Sequence, residues 1–374
     1  MIYFDNAATG GFKPRAVSDA AETVIRYLSA NPGRSGHRLA LAGERIVSEC
    51  RETLSGMFGC TADRTTFTKN CTEALNLAIF GTVKKGCKVV TTAWEHNSVL
   101  RPLFHLQKSG IISLDVVFPE EGKNIAQSVA ERLTDDTCLL VATTVSNVTG
   151  EILPVKLLGA LAKSRGITFL ADGAQGAGHI PLNLEKDNIS MLAVPAHKGL
   201  YGIMGLGALM FSEKTEIRPL IFGGTGSESF STDQPSGYPE RLEAGTLNLP
   251  AIAALKEGVN YIKDNVESFG EKLVFSTDKI ITELKNIRGV KCYSSPNETG
   301  IVAFKFDNVP SAEAADIFNS EYDVAVRGGL HCAPLAHKHL GTSEEGLIRA
   351  SLSVQNGASE ISRFLYAVKK ISEL

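Results

Sequence analysis

Between residues 60 and 210, short apolar, β-branched runs alternate with longer stretches whose apolar residues recur at helical spacing. Several of the short runs are apolar on both faces, as strands of a parallel sheet covered by helices are. The predicted strands are 88–93, 139–145, 167–171 and 207–211. Between them, EALNLAIFGTV and VKLLGALAKSRG predict helices, the second ending at Gly166. The alternation predicts an α/β domain that binds ligands at the C-terminal ends of its strands.

Residues 221–250 differ in character, because they are rich in Gly, Ser and Pro and lack periodic apolar positions. A loop of this length inside a compact domain is usually functional. The stretch that follows predicts a long helix with a break at Gly270. A strand over 300–306, the helical segment SAEAADIFNSEY and a helical tail then indicate a second unit.

The length of 374 residues exceeds what one hydrophobic core usually supports. We therefore predict a large α/β domain over 15–264, with a mainly parallel sheet flanked by helices, and a smaller α+β domain over 265–374. Residues 1–14 are expected to pack near the smaller domain.

Composition excludes several classes of partner. The net charge is −3 and no long basic run occurs, which argues against nucleic acid. No apolar stretch reaches the roughly 20 residues that cross a bilayer. The first residues, MIYFDNAATGG, lack the cationic and apolar segments of a signal peptide. We expect a cytoplasmic protein without a membrane partner.

Seven cysteines are scattered along the chain and never form a CxxC pair; they are Cys50, Cys60, Cys71, Cys87, Cys138, Cys292 and Cys332. We expect free thiols, and for all except Cys332 we expect packed, unreactive ones. Cys332 with His337 and His339 could gather a metal, but a fourth ligand and paired spacing are missing, so no metal site is predicted. His337 and His339 are expected to face solvent.

Two candidate residues lie near predicted strand ends. Asp172 follows a strand directly, with Gln175 three residues later; taken alone, this pattern favours a capping aspartate in a glycine-rich turn over a functional residue. Lys198 lies between apolar and glycine-rich segments. Most lysines are solvated, but a buried lysine has a lowered pKa and becomes a usable amine nucleophile.

Two more candidates precede helices. Thr72 stands at the start of a helix, where its hydroxyl and the backbone N–H groups suit a phosphate, although a plain N-cap is equally consistent. His96 follows a strand and lies beside Trp94, the only tryptophan. An aromatic ring there can stack on a planar cofactor or simply pack in the core.

Together, the order and spacing of these motifs resemble the class V aminotransferase-like family of fold-type I pyridoxal 5'-phosphate (PLP) enzymes. The resemblance is specifically to the SufS-like (group II) cysteine desulfurases and selenocysteine lyases. It spans the whole chain: YFDNAATG, NPGRSGHR, TEALN, EHNS, SNVTGEILP, ADGAQ, HKG, RLEAGTLN, RGGLHCAPL and LIRASLS.

The resemblance implies roles around the ring of the cofactor. Lys198 would carry PLP as a Schiff base, and Asp172 would pair with the pyridinium nitrogen so that the ring stays an electron sink. His96 would stack on the ring face. Asn147 and Gln175 would hydrogen-bond the ring substituents.

The resemblance also implies a phosphate site. Cys71 and Thr72 at the helix start, together with His197, would hold the phosphate. The 221–250 loop would cross to a second subunit, where Thr246 would reach the partner's phosphate, which implies an obligate homodimer. In one departure from the family, Pro195 stands where a serine or threonine hydroxyl usually helps to hold the phosphate.

Substrate binding is implied at Arg349, which would clamp the substrate carboxylate together with Asn147. The loop RGGLHCAPL resembles the active-site loop of these desulfurases, and its Cys332 would attack the sulfur of the cofactor-bound substrate. A setting near Arg327 and His331 would favour the thiolate. The expected products are alanine and a persulfide, which a sulfur-acceptor protein could collect.

The expected substrate is L-cysteine or L-selenocysteine. Two alternatives stay open at the level of sequence. One is an aminotransferase or epimerase on the same scaffold, with Cys332 incidental. The other is a non-enzymatic PLP-binding scaffold that docks a sulfur-acceptor protein.

Overall fold

The structure is a computed structural model that describes residues 1–33 and 35–374, so that one position of the NPGRSGHR motif lies outside the described residues. The strands are β1 Ile2–Tyr3, β2 Thr65–Thr68, β3 Cys87–Thr92, β4 Ile112–Val117, β5 Thr137–Thr143, β6 Thr168–Asp172, β7 Met191–Pro195, β8 Gly207–Phe211, β9 Val290–Cys292, β10 Ile301–Phe306, β11 Val324–Ala325, β12 Arg327–Gly329 and β13 Leu347–Ser351. The helices are α1 Arg15–Tyr27, α2 Arg38–Phe58, α3 Cys71–Thr82, α4 Asn97–Lys108, α5 Ile125–Ala130, α6 Val155–Ser164, α7 Leu249–Ile262, α8 Val266–Lys285, α9 Ser311–Tyr322, α10 Pro334–Leu340 and α11 Ala358–Ile371.

The central sheet has the strand order β2-β8-β7-β6-β5-β3-β4. Strands β3 to β7 pair in parallel, whereas β8 and β2 add an antiparallel edge. The apolar strands are buried on both faces, which is why their sequences lack alternation. The predicted α/β fold with a mainly parallel sheet is confirmed.

A second sheet has the order β12-β13-β10-β9 and is antiparallel throughout. Its core is separate from that of the large sheet and is rich in phenylalanine: Phe4, Phe304, Phe318 and Phe364 are fully buried there. The N-terminal strand β1 pairs in parallel with β11. This pairing lays the first residues of the chain against the smaller sheet and beside β13.

The predicted break at Gly270 is wrong. The helical stretch after the long loop is divided at residues 263–265, between α7 and α8, and Gly270 lies inside α8. A Cβ on Gly270 would lie 3.2 Å from Glu298 Cγ, so the glycine permits close packing and does not interrupt the helix.

The expectation of free thiols is wrong for two cysteines. Cys87 on β3 and Cys138 on β5 form a disulfide, with their Cα atoms 5.8 Å apart. The sheet places these two strands side by side, which brings the two residues within the usual Cα separation of a disulfide. The remaining five cysteines are free, and Cys332 is exposed.

Over the described residues, no helix combines the length and apolar character that crossing a membrane requires.

Candidate active site

A cavity of about 120 Å³ opens where β5, β6 and β7 end. Parallel strands bring their C-terminal ends to one edge, which explains why residues far apart in sequence meet there. Most of the predicted cofactor residues line it: Cys71, Thr72, His96, Asn147, Asp172, Gln175, His197 and Lys198, together with Pro195.

Asp172 ends β6 and is 2% exposed. Burial raises the pKa of its carboxyl, while the Ala174 N–H, which donates to Oδ1 at 2.9 Å, and Lys198 counteract this rise. The thiol of Cys71 also lies against Oδ1, at 3.8 Å. The carboxylate is therefore held in one orientation and is shielded from solvent. Both properties suit a partner for a cationic ring nitrogen.

Lys198 follows β7 in the turn that carries Gly199, where a Cβ would lie 2.3 Å from the Ala177 carbonyl oxygen. Burial lowers the pKa of the Lys198 amine, and the positive charge of Arg349 lowers it further. A larger fraction of neutral, nucleophilic amine results.

The N-terminal segment holds the peptide that precedes Lys198. The carbonyl oxygen of His197 accepts from the Gly10 N–H at 3.0 Å and from Lys13 Nζ at 2.8 Å. The His197 ring contacts the Thr9 hydroxyl through Nδ1 at 3.0 Å. These contacts orient His197 and the backbone that leads into Lys198.

His96 is the N-cap of α4, and its Nδ1 accepts from the Ser98 N–H at 3.1 Å. Burial, followed by Lys198 and Arg327, lowers the pKa of His96 to about 4. The imidazole is therefore neutral at neutral pH and suited to stack on an aromatic ring. Trp94, in contrast, packs edge-on against His339, with ring centroids 5.5 Å apart.

Cys332 lies outside the cavity, on the loop between β12 and α10. Its φ is 57° and that of His331 is 50°, so the loop turns sharply at both residues. The Cys332 carbonyl accepts from the Asn97 N–H at 2.7 Å, and the His331 carbonyl accepts from Asn147 Nδ2 at 2.7 Å. These two hydrogen bonds hold the backbone of the loop, which carries the exposed thiol, against residues at the edge of the cavity.

Arg349 lies on β13 and is 1% exposed. Nη1 donates to the Asn147 carbonyl at 2.9 Å and Nη2 to Asp5 Oδ1 at 3.0 Å. Arg349 does not line the cavity itself, but through Asn147 it is one contact away from it.

Thr246 is exposed and lies in a separate groove with Thr68 and Asn248. The single chain does not bring it to the other predicted phosphate residues. Its loop is anchored three residues earlier by Glu243, which forms a buried, bidentate ion pair with Arg51.

The prediction that His337 faces solvent is wrong, whereas His339 is exposed. The His337 side chain is fully buried and stacks on His331, with centroids 5.7 Å apart and planes at 19°. Among the described residues, no group of three or more His, Cys, Asp or Glu side chains is arranged to hold a metal.

The donor set fits PLP. A buried carboxylate, a buried amine, a neutral imidazole and two helix starts line one cavity. In addition, Asn147 Oδ1 is buried and has no hydrogen-bond partner among the described residues, so an acceptor is left over for a bound molecule.

Comparisons with known proteins agree with this geometry. The profile of the family described as aminotransferase class-V matches residues 2–364. A probable cysteine desulfurase of Methanothermobacter thermautotrophicus is 32% identical over 96% of this chain and 92% of its own length. A probable cysteine desulfurase of Pyrococcus abyssi is 33% identical over 99% of this chain and 94% of its own length. The apo structure of a cysteine desulfurase from Thermococcus onnurineus covers 100% of this chain and 94% of its own, with a TM-score of 0.93 and 31% identity.

The chain therefore belongs to the class V aminotransferase family, in the branch of the cysteine desulfurases. This family depends on PLP, which is the cofactor of this protein.

Sequence reasoning missed three residues of the site: Asp5, which pairs with Arg349; Thr9, which orients His197; and Ser98, which lines the cavity. Ser98 had a signal in the sequence, because it occupies the first turn of the helix that His96 begins. The contacts of Asp5 and Thr9 span more than 180 residues and had none.

Proposed function

We propose that the protein acts as a cysteine desulfurase on L-cysteine, with Cys332 as the residue that receives the sulfur. The observation that carries this assignment is the bond from the Asn97 N–H to the Cys332 carbonyl, directly after His96. It holds an exposed thiol beside the cofactor cavity. An aminotransferase or an epimerase has no use for such a thiol.

When bound, PLP withdraws electrons from the α-carbon of the amino acid, which makes the α-proton acidic and weakens bonds at the β-carbon. Lys198 would hold the cofactor through Nζ. Its amine, once free, would take the α-proton, a role that its lowered pKa favours. Asp172 would pair with the ring nitrogen and favour its protonated form, and the neutral His96 imidazole would stack on the ring.

Arg349 and Asn147 bind the substrate carboxylate. They thereby orient the side chain of the substrate towards the loop between β12 and α10, which carries Cys332. The Cys332 thiolate attacks the substrate sulfur, so that a sulfur–sulfur bond forms and the carbon–sulfur bond breaks. The electron pair of the broken bond remains with the β-carbon, which is then protonated, and the α-carbon regains the proton that the Lys198 amine had taken. Cysteine and the enzyme thiol thus become alanine and an enzyme persulfide, and no external oxidant is required.

The test is to incubate the purified protein with L-cysteine without any keto acid. We expect alanine and, by mass spectrometry, one added sulfur on the peptide that contains Cys332. A thiol reductant should sustain turnover. Lys198→Ala should lose both the visible absorbance of bound PLP and turnover while remaining folded by circular dichroism. Alanine that appears only when a keto acid is added would instead assign an aminotransferase.

A homodimer is part of the proposal. Thr246 is supported as a ligand of the partner's phosphate because it is exposed and does not line its own cofactor cavity. The adjoining loop also exposes large apolar side chains: Leu220, Ile221, Phe222 and Phe230. Such a patch is typical of a protein interface. Light scattering should give a dimer, and a fully active monomer would contradict it.

The proposal extends to L-selenocysteine as a second substrate, because selenium is the better electrophile and leaving group. It also includes a sulfur-acceptor protein, supported by the exposure of Cys332. We place the enzyme in the cytoplasm, because a nucleophilic Cys332 has to stay reduced, although the Cys87–Cys138 disulfide is unusual for a reducing compartment.

A further inference from the structure

Two helix starts meet at one wall of the cavity. Helix α3 begins at Cys71 and α4 at Asn97, and each has 12 residues. The Thr72 hydroxyl of the first lies 2.8 Å from the Ser98 hydroxyl of the second. The start of α3 offers the Cys71 and Thr72 N–H groups and the positive end of its dipole, and both effects favour an anion. At α4 the Asn97 and Ser98 N–H groups are already donated to the Cys332 carbonyl and to His96 Nδ1, so this helix offers its dipole and the Ser98 hydroxyl.

The side chains around this wall leave the anion position free of competing carboxylates. Asp172 is the only carboxylate among the described residues that line the cavity, and it is engaged by the Ala174 N–H and the Cys71 thiol. The carboxylate of Glu73, in the first turn of α3, accepts from the Lys69 N–H instead.

Ser98 is suited to turn its hydroxyl towards such an anion. Its Oγ lies 2.9 Å from His96 Nδ1, which already accepts from the Ser98 N–H. A hydroxyl proton rotates freely about the C–O bond, so Ser98 can donate to a ligand without moving its oxygen. The residue is only half-buried, which leaves room for a ligand beside it.

Pro195, which lines the same cavity, has neither a hydroxyl nor an N–H to offer. It is fully enclosed at the end of β7, so the cavity lacks a hydrogen-bond donor at that point.

We propose that Ser98 donates a hydrogen bond to the phosphate of PLP, next to Thr72, and replaces the donor that Pro195 cannot supply. This inference rests on the proposed function, because it concerns the same cofactor site. It assigns the phosphate to the position where α3 and α4 begin, shared between Thr72 and Ser98.

The test is binding, measured with cofactor-free protein by fluorescence titration. PLP and pyridoxal are compared, since pyridoxal has the same ring but no phosphate. Ser98→Ala should weaken PLP binding on the order of tenfold or more, as expected for one hydrogen bond to a charged group. Pyridoxal binding should stay unchanged, and Ser98→Thr, which keeps the hydroxyl, should retain most of the PLP affinity.

Pro195→Ser provides a rescue. Combined with Ser98→Ala, it should restore PLP affinity to within a few-fold of the parent protein, because one donor replaces the other. The matched control is Ser320→Ala, which changes an exposed serine on α9. It should change the affinity for neither PLP nor pyridoxal.

Unchanged PLP affinity in Ser98→Ala would overturn the inference. So would an equal loss for PLP and pyridoxal, because Ser98 would then act through His96 and the ring. Failure of the parent protein to bind PLP at all would instead overturn the proposed function.

Discussion

Asp5 accepts a hydrogen bond from Nη2 of Arg349 and thereby occupies part of the edge that a substrate carboxylate would use. Nε, the other donor of that edge, is buried and has no partner among the residues that the structure describes. A carboxylate binds arginine most strongly through two parallel N–H donors. If Arg349 binds the substrate carboxylate as proposed, Asp5 is a carboxylate of the protein itself that competes with the substrate for this guanidinium.

Asp5→Asn should lower the KM for L-cysteine by about tenfold, because removing one negative charge beside Arg349 favours an incoming carboxylate by roughly 1.4 kcal/mol. The value of kcat should change less. Steady-state kinetics with alanine as the measured product give both constants.

The control is Asp19→Asn, which removes a carboxylate from an exposed ion pair with Arg15 and should leave the KM unchanged. A higher KM in Asp5→Asn would mean that Asp5 orients Arg349 and does not compete with substrate.

Cys332→Ser should bind PLP normally and release almost no alanine from L-cysteine, because a hydroxyl without an activating base is a poor nucleophile towards sulfur. The loss with L-selenocysteine should be smaller, since selenium leaves with less help from the protein. Turnover of both substrates is compared with Cys292→Ser, a change at another free thiol that should keep full activity. Equal, mild losses on both substrates would make Cys332 a structural residue.

Glu243→Gln should weaken PLP binding and dimer association together. The Glu243 carboxylate is 6% exposed and accepts from Arg51, which also donates to the Thr65 carbonyl. Removing one partner of a buried pair costs about 3–5 kcal/mol and would loosen the loop that presents Thr246. PLP titration and sedimentation measure the two effects.

Glu216→Gln is the matched control, because it breaks an exposed pair with Arg241 near the same loop. It should alter neither property. A stable, fully dimeric Glu243→Gln with parental PLP affinity would contradict the anchoring role of this pair.

The folded protein should lose stability as the pH falls from about 6.5 towards 4. Burial holds the pKa of His96 at about 4 and that of His331 at about 2. In this range the unfolded chain binds protons at ordinary histidines, whereas the folded state does not, so acid favours unfolding. Each fully buried histidine contributes up to about 1.4 kcal/mol per pH unit.

Denaturant titrations of cofactor-free protein between pH 7.5 and 4.5 measure this slope. In His331→Asn the slope should fall by about one histidine's share, whatever the absolute stability of the variant. An unchanged slope would show that His331 is not kept neutral by the fold.

Local patterns were sufficient to predict much of the fold. The strand 139–145 and the helix SAEAADIFNSEY were found from periodicity, and they correspond to β5 and α9. The cavity residues were predicted from the resemblance of the ordered motifs to a known family. Taken singly, the local patterns around Asp172, Lys198, Thr72 and His96 left a structural role open for each residue.

Contacts between distant segments could not be predicted in this way. The Cys87–Cys138 bond depends on β3 and β5 being neighbours, which is a property of sheet order. The burial of His337 depends on a ring contact with His331 across a turn. Neither leaves a periodic trace in the sequence.

Strand β1 pairs with β11, and Asp5 pairs with Arg349. The two residues of this ion pair are 344 positions apart in the sequence. At ordinary elongation rates of about 5–20 residues per second, a ribosome needs roughly 17 to 70 s to make the second partner after the first. The residues that line the cofactor cavity lie between Asn70 and Lys198 and are made well before Cys332 and Arg349. A nascent chain can thus hold all residues of the cofactor cavity before it has the residues proposed to bind and attack the substrate.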